Sequence, residues 1–215
     1  MLVQDRMSSP VVTVTSETPF QDALKLMQDR GFRRLPVVDG KGKLVGIVSE
    51  RDLLYASPSP ATSLSVWEIT YLLSKLKVQE IMTKDVITTT ADTPIEDAAH
   101  LMVYHKIGGL PVVNEQKRVV GIITETDIYK TFVEMFGGGR TGVRLTLRIP
   151  ERKGVILELS KAIVELDGDI VSVGSFEGDV SGERRLVIKV REVGKDQLLE
   201  KIETLDDQVV DARSV

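Results

Sequence analysis

The sequence contains no cysteine, one tryptophan and only two histidines among its 215 residues. The absence of cysteine excludes disulfide cross-links, thiolate catalysis and cysteine-ligated metals. His100 and His105 are five residues apart, so on a helix they lie about 140° from each other and do not share a face. We therefore expect no metal site, and few side chains remain for acid–base catalysis.

Charge of one sign and long apolar runs are also missing. The 28 basic residues nearly balance the 32 acidic ones, which gives a net charge of −4. Without a basic tail or patch, no nucleic-acid partner is expected. No apolar run approaches the ~20 residues of a membrane span, and Met1–Arg6 lacks the apolar core of a signal peptide. We expect a cytoplasmic protein with no membrane partner.

A repeat at a fixed offset of 75 residues organises the first part of the chain. Residues 3–53 align without a gap with residues 78–128, and 21 of the 51 pairs are identical. Leu35–Val38 matches Leu110–Val113 at every position. Because a unit of about 50 residues buries too little surface to be stable on its own, we expect the two copies to pack as a pseudo-twofold pair.

Each copy predicts the order βαββα. Thr18 and Thr93, each followed by proline, are interpreted as capping boxes at a helix start. Two short strands and a second helix follow, and that helix begins at Ser49 or Thr124. The predicted domains are residues 1–56 and 78–136 for the copies, 57–77 for a linker and helix, 137–142 for a glycine-rich linker, and 143–215 for a further domain.

The last domain has a different pattern. Apolar residues alternate with polar ones from Val143 to Ile149, which predicts a half-buried strand. A helix after Gly154, two strands, a second helix and a strand near Gln208 complete the order βαββαβ, which is ferredoxin-like. The predicted fold class of the whole chain is α+β.

One motif in each copy points to binding chemistry. A hydroxyl residue precedes an acid by three positions at a helix start, in Ser49 with Asp52 and in Thr124 with Asp127. This spacing is itself typical of a capping box, and on the motif alone that structural interpretation is favoured. The same geometry also suits a phosphate, through the helix dipole, and a ribose diol, through the carboxylate.

The duplicated Leu-Pro-Val-Val strand and Gly-Ile-x-(Ser/Thr)-Glu-x-Asp segment resemble a tandem pair of cystathionine-β-synthase (CBS) domains, a Bateman module. The βαββαβ tail, with Pro150–Gly154 before its first helix, is similar to an ACT domain. The order of the three domains resembles the acetoin-utilization AcuB-type family. The expected fold is thus a pseudo-twofold CBS pair followed by a ferredoxin-like ACT domain.

The resemblance implies adenine-containing ligands in clefts between the repeats, with AMP, ADP, ATP, S-adenosylmethionine and NAD as candidates and no required cofactor. Asp52 and Asp127 would hold ribose hydroxyls. Ser49 and Thr124 would contact ribose or phosphate. The two Leu-Pro segments would present their backbone to adenine. Matched onto this chain, the implied nucleotide-binding residues are Thr13, Arg34, Leu35, Pro36, Ser49, Arg51, Asp52, Thr88, Gly109, Leu110, Pro111, Thr124 and Asp127.

The two implied sites differ in charge. The first repeat has Arg33, Arg34 and Arg51, and the second has Gly108, Gly109 and Thr126 at the matching positions. Because arginine suits phosphate, we expect the first repeat to take the more phosphorylated ligand and the second a less charged adenosyl compound or none. A solvated surface position is the alternative for Arg33.

For the tail, the resemblance implies a small effector, such as an amino acid, where the first loop meets the first helix. The implied residues are Arg152, Lys153, Gly154, Val155 and Asp169. Asp169 stands where amino-acid-binding members often have asparagine, so dimerisation alone is the alternative role of this domain.

The function indicated is a non-catalytic regulatory sensor that acts on an unknown protein and forms a homodimer. Two alternatives are a structural dimerisation adaptor with vestigial pockets and a regulatory partner of an enzyme of acetoin or acetate metabolism. An enzyme is not expected, because the chain contains no P-loop, catalytic triad or metal-ligand cluster.

Overall fold

The computed structural model describes residues 1–56, 65–178, 182–205 and 207–215. Residues 57–64 of the predicted linker and helix (57–77), and residues 179–181, for which a turn was predicted, lie outside the described residues. The chain divides into two compact units, Met1–Tyr129 and Lys130–Val215. No helix within these described ranges combines the length and apolar character needed to cross a membrane.

The first unit contains the two repeats, and their second and third strands share one register. In the first repeat these strands are β2 (Arg34–Val38) and β3 (Leu44–Ser49), paired antiparallel with Arg34 opposite Ser49. In the second they are β4 (Gly109–Val113) and β5 (Val119–Thr124), with Gly109 opposite Thr124. The elements are β1 (Val14–Thr15), α1 (Phe20–Arg30), β2 (Arg34–Val38), β3 (Leu44–Ser49), α2 (Glu50–Ala56), α3 (Val66–Lys75), α4 (Ile95–His105), β4 (Gly109–Val113), β5 (Val119–Thr124) and α5 (Glu125–Met135).

The predicted strands and helices of the repeats are confirmed to within one or two residues, with one difference. In the first repeat β1 pairs in parallel with β2. The matching part of the second repeat makes only a single parallel bridge, between Thr89 and Val112.

The first few residues of each repeat pack in the hydrophobic core of the other repeat. Val3 is fully buried in the cluster that contains Ile95 and Met102. Val78 is fully buried in the cluster that contains Phe20 and Met27. The two repeats therefore exchange their leading segments, and neither core is complete without the other repeat.

Methionine and glycine pack against each other where the exchanged segments cross the partner strands. A Cβ atom at Gly121 would lie 2.5 Å from the sulfur of Met7, and a Cβ atom at Gly46 would lie 2.5 Å from the sulfur of Met82. Ser8 exchanges two backbone hydrogen bonds with Ile122, of 2.9 and 3.1 Å. The identical Gly-Ile pairs of the sequence repeat thus mark where each leading segment is held.

The helix starts after Thr18 and Thr93 differ from the prediction. α1 begins at Phe20 with Pro19 at the N-cap, and no side chain caps it. Thr18 Oγ1 instead accepts a hydrogen bond from the backbone N–H of Thr15, at 3.0 Å. The capping-box prediction was wrong here, because the hydroxyl closes the preceding turn and the proline already fixes the helical entry.

The turn between β2 and β3 is closed by a carboxylate, and the equivalent turn of the second repeat by an amide. Asp39 Oδ1 accepts from the backbone N–H groups of Lys41 and Lys43, at 2.8 and 2.9 Å. Asn114 Oδ1 makes the same two contacts in the second repeat. The bonds from Lys43 and Lys41 lower the pKa of Asp39 below its ordinary value.

The second unit has the predicted βαββαβ order. Its sheet runs β7-β8-β6-β9, and every neighbouring pair is antiparallel, which is the ferredoxin-like arrangement. Leu145, Leu147, Leu159 and Ile188 form the centre of its core. The elements are β6 (Val143–Pro150), α6 (Val155–Val164), β7 (Asp169–Glu177), β8 (Glu183–Arg191), α7 (Lys195–Ile202) and β9 (Gln208–Ser214).

The predicted glycine-rich linker is held by backbone hydrogen bonds at Gly137 and Gly138. The N–H of Gly137 donates to Glu134 O and that of Gly138 to Val133 O, which closes the end of α5. Lys189 is 5% exposed, and its Nζ donates to the carbonyl of Gly137 at 2.8 Å. A buried cation thus caps a helix C-terminus, where the helix dipole favours positive charge.

Because the leading segments are exchanged, a substitution in the leading segment of one repeat should destabilise the core of the other. Val78→Ala should destabilise the protein by about 2 kcal/mol, since two buried carbon groups are lost and a cavity remains. Hydrogen exchange followed by mass spectrometry should then show faster exchange in α1 than in α4, although Val78 belongs to the second repeat. Val3→Ala should show the reverse. The exposed Val103→Ala serves as the control, and equal acceleration in α1 and α4 would contradict the exchange.

The pKa of Asp39 predicts a pH dependence. Because its folded pKa lies below the unfolded value, its contribution is present above about pH 4 and is lost as the pH falls through the folded pKa. Asp39→Asn keeps the acceptor oxygen but does not titrate. The melting temperature of the variant minus that of the wild type should therefore increase as the pH falls from 7 to about 2.5. For Asn114→Asp, the same melting-temperature difference should decrease as the pH falls over that range. A melting-temperature difference that is constant with pH would contradict this assignment.

Candidate functional site

A cavity of about 280 Å³ lies in the first unit, between the two repeats. This volume is near the lower end of the range of small-molecule sites. Both repeats and the segment after the exchanged Met7 contribute to its wall. The lining residues are Ser8, Pro10, Val11, Val12, Gly31, Phe32, Arg33, Arg34, Gly108, Ile122, Thr124, Glu125, Thr126 and Asp127.

The hydroxyl–acid motifs form capping boxes in both repeats. Asp52 Oδ2 accepts from the backbone N–H and the hydroxyl of Ser49, at 2.8 and 2.7 Å. The N–H of Asp52 donates in return to Ser49 Oγ, at 3.2 Å. Asp127 Oδ2 accepts the equivalent pair from Thr124, at 2.9 and 2.7 Å. The caps fix each carboxylate at the first turn of its helix.

In the second repeat the capping box is also part of the cavity wall. Thr124 and Asp127 both line the cavity, so the structural and the binding interpretations of the motif are compatible. The bonds within the box use Oδ2 of Asp127. A carboxylate has two acceptor oxygens with several lone pairs, which gives this one the capacity to accept hydrogen bonds from a bound diol as well.

Arg33 and Arg34 lie at this cavity, across from the acid of the second repeat. Arg33 Nη2 donates to the hydroxyl of Thr126 at 3.2 Å. Burial lowers the pKa of Arg34, and the carboxylate of Glu125 opposes that shift more strongly than Asp52 does. The arginines expected to favour phosphate at Ser49 and Asp52 therefore line the cavity that contains Thr124 and Asp127.

Arg51 takes no part in the described cavity. Its Nη2 donates to the hydroxyl of Tyr55 at 3.0 Å, and its guanidinium lies 5.2 Å from the centre of that ring. The two residues are one turn apart on α2, so the arginine is held along its own helix.

The other implied nucleotide-binding residues fall into two groups. The side chains of Leu35 and Leu110 are fully buried in the two repeat cores, and Pro36, Pro111 and Gly109 are buried beside them in β2 and β4. These positions can offer a ligand only backbone atoms. Thr13 and Thr88 line two separate depressions at equivalent positions of the repeats, and neither lines the cavity of Asp127.

Most of the cavity residues were not among the predicted nucleotide-binding residues, and Glu125 and Phe32 illustrate two reasons. Glu125 lines the cavity, and its identity with Glu50 in the aligned repeats was a signal that could have found it. Phe32 lies in a short connection before β2, and nothing in its local pattern marks it. Its position at the cavity follows from the packing of one repeat against the other.

The implied effector site in the second unit is occupied by internal ion pairs. Arg152 donates two hydrogen bonds to the carboxylate of Glu158, at 2.8 and 2.6 Å. Asp169 accepts from Arg191. Val155 is buried, and Gly154 takes a left-handed conformation at φ 95° before α6, while Lys153 is exposed. An effector carboxylate at this loop would have to compete with Glu158 for Arg152.

No group of three or more His, Asp or Glu side chains is placed to hold a metal ion in the part of the chain that the structure describes. The carboxylate of Asp127 at the cavity instead accepts from the backbone N–H and the hydroxyl of Thr124.

Comparison with known proteins identifies the family. The CBS-domain model matches residues 3–59 and 78–134, the two repeats. The chain belongs to the CBS-domain family. The match ends before the βαββαβ sheet, so the similarity of that sheet to an ACT domain remains a proposal.

Three solved structures share the CBS-pair fold. The CBS domain pair of protein MJ0100, in complex with 5'-methylthioadenosine and S-adenosyl-L-methionine, is 36% identical, with 61% of this chain and 99% of that chain covered and a TM-score of 0.52. A Vibrio cholerae protein named for acetoin utilization (AcuB) is 33% identical, with 64% and 93% covered and a TM-score of 0.53. CBSX2 of Arabidopsis thaliana in complex with AMP is 29% identical, with 62% and 97% covered and a TM-score of 0.54.

Among curated proteins, the L-aspartate semialdehyde sulfurtransferase of Methanocaldococcus jannaschii is 36% identical over 133 residues. These residues are 61% of this chain and 23% of the relative. The chain therefore spans about a quarter of the length of that enzyme.

Proposed function

We propose that this protein is a non-catalytic regulatory sensor that binds an adenine-containing ligand in the clefts of its CBS pair. The observation that carries the proposal is the cavity in which the Thr124–Asp127 capping box faces Arg33 and Arg34 across the repeat boundary. CBS pairs solved with AMP, S-adenosyl-L-methionine and 5'-methylthioadenosine support an adenosyl ligand.

The chemistry of the wall matches the parts of such a ligand. Val11, Val12, Phe32 and Ile122 offer an apolar surface for a planar base. The carboxylate of Asp127 is held in place to accept the hydroxyls of a ribose, and it costs little to order because the capping box has already fixed it. By the symmetry of the repeats, Ser49 and Asp52 offer the same groups to a second ligand. AMP, ADP, ATP, S-adenosylmethionine and NAD remain the candidates.

A regulatory role is proposed because the CBS-domain model matches the two repeats and related CBS pairs have been solved with adenosyl ligands. The named activity of the sulfurtransferase belongs to a protein of which this chain spans only 23%, so that activity is not transferred to this chain. Regulation requires that the ligand bind two arrangements of the protein with different affinity. The protein that would read the change is unknown, and the acetoin-utilization likeness makes an enzyme of that metabolism one candidate.

Substitution of Asp127 tests the proposed site. Asp127→Ala should weaken binding of AMP or S-adenosylmethionine by about 10- to 100-fold, since hydrogen bonds to a charged group are lost. Titration calorimetry measures the effect. Asp97→Ala is the matched control, because Asp97 is an exposed acid in the first turn of α4 and does not line the cavity. Affinity within twofold of the wild type in Asp127→Ala would refute the site, and absence of binding by every candidate ligand would favour the adaptor alternative.

We further propose that the second unit is an ACT domain that forms a homodimer. In support, Ile156, Leu157 and Val164 on α6 leave apolar side chains 52–68% exposed. Residues 156, 157 and 164 lie near one another on the helix surface, which leaves an apolar stripe for a second copy. The internal pairing of Arg152 with Glu158 favours dimerisation over effector binding at the Gly154 loop.

The dimer prediction is tested by Leu157→Glu. A buried, unpaired charge at the centre of the stripe should convert a dimer to a monomer. Sedimentation velocity measures the change, and Val103→Glu on α4 in the first unit is the control, at an apolar side chain that is 77% exposed. A dimer that persists in Leu157→Glu, or a wild-type monomer, would contradict this proposal.

A further inference from the structure

The two repeats differ most sharply where β2 and β4 begin. Arg33 and Arg34 of the first repeat align with Gly108 and Gly109 of the second. A Cβ atom at Gly108 would lie 2.3 Å from Arg34 Nη2 and 2.6 Å from Glu125 Oε2. A Cβ atom at Gly109 would lie 3.4 Å from Arg34 Cδ. The side chain of Arg34 therefore runs across the glycines of the other repeat and fills the space that side chains there would need.

This crossing gathers the cationic groups in one cleft. The cavity of Thr124 and Asp127 receives both Arg33 and Arg34. The equivalent positions that the second repeat would offer to Ser49 and Asp52 are glycines, which bring no charge. Asp52 also raises the pKa of Arg34 through its charge, but the carboxylate of Glu125 has the larger effect.

The counter-charge of Arg34 can be replaced by a ligand. Glu125 is exposed and acts on Arg34 through its charge, and an exposed carboxylate can turn to solvent at small cost. A phosphate offers more charge and accepts paired hydrogen bonds from a guanidinium. Arg33, held by the hydroxyl of Thr126, lies beside the same space.

From this geometry we infer that the two adenosyl clefts prefer ligands of different charge. Gly108 determines this preference, because the absence of a side chain there leaves room for the guanidinium of Arg34. A phosphate ester of adenosine occupies the Asp127 cavity, and an adenosyl compound without a phosphate suits the cleft of Asp52. This is the reverse of the order that the arginines suggest from their position in the sequence. The inference rests on the proposed adenosyl-binding function.

The test compares AMP with adenosine by titration calorimetry on the full chain carrying Asp52→Ala, so that the titration reports the Asp127 cavity. AMP should bind at least about tenfold more tightly than adenosine, the effect of a charge-assisted hydrogen bond. Arg34→Gln, which removes the charge, and Gly108→Ala, which displaces the guanidinium, should each bring this ratio towards one. In both variants the affinity for adenosine should stay within about threefold of the affinity in the Asp52→Ala parent. Arg30→Gln, an exposed arginine outside the cavity lining, should leave the ratio unchanged.

The outcomes separate the inference from the function on which it rests. If AMP and adenosine bind but the ratio is the same in Arg34→Gln and Gly108→Ala as in the parent protein, the charge preference is overturned and the adenosyl site stands. If neither ligand binds the parent protein, the proposed function fails, and the charge preference fails with it.

Discussion

The reciprocal exchange of leading segments is the constraint on which the first unit depends. Val3 and Val78 each complete the core of the opposite repeat, and Met7 is packed against Gly121 where its segment crosses β5. Ser8 then pairs with Ile122, and the following residues up to Val12 form a wall of the cavity. The contacts that close the two cores therefore also build the site, which links binding in the cleft to the stability of the pair.

The proposed function of this pair depends on where the two repeats stop being equivalent. The hairpins, the capping boxes and the methionine–glycine contacts follow the offset of 75 closely. The change from two arginines to two glycines does not, and it places positive charge on one side of the pseudo-twofold axis. A pair of identical repeats would offer identical groups to two ligands, whereas this pair brings both arginines to the cavity of Asp127.

Much of the fold was predictable from local patterns and from the repeat. Short apolar runs and turn residues located β2, β3, β4 and β5, and the order βαββαβ of the second unit followed from its apolar spacing. The spacing of Ser49 and Asp52 predicted a capping box that is present. The exchange of segments was not predictable, because Val3 and Val78 carry no local sign of the core they enter. The path of Arg34 was missed for the same reason, since it depends on the packing of one repeat against the other.

The most direct test of the account is a crystal structure of the full chain soaked with AMP. The account predicts ribose hydroxyls on the carboxylate of Asp127, the base against the apolar wall near Phe32 and Ile122, and the phosphate between Arg33 and Arg34. AMP bound away from Asp127, or in that cavity with its phosphate turned away from both arginines, would contradict it.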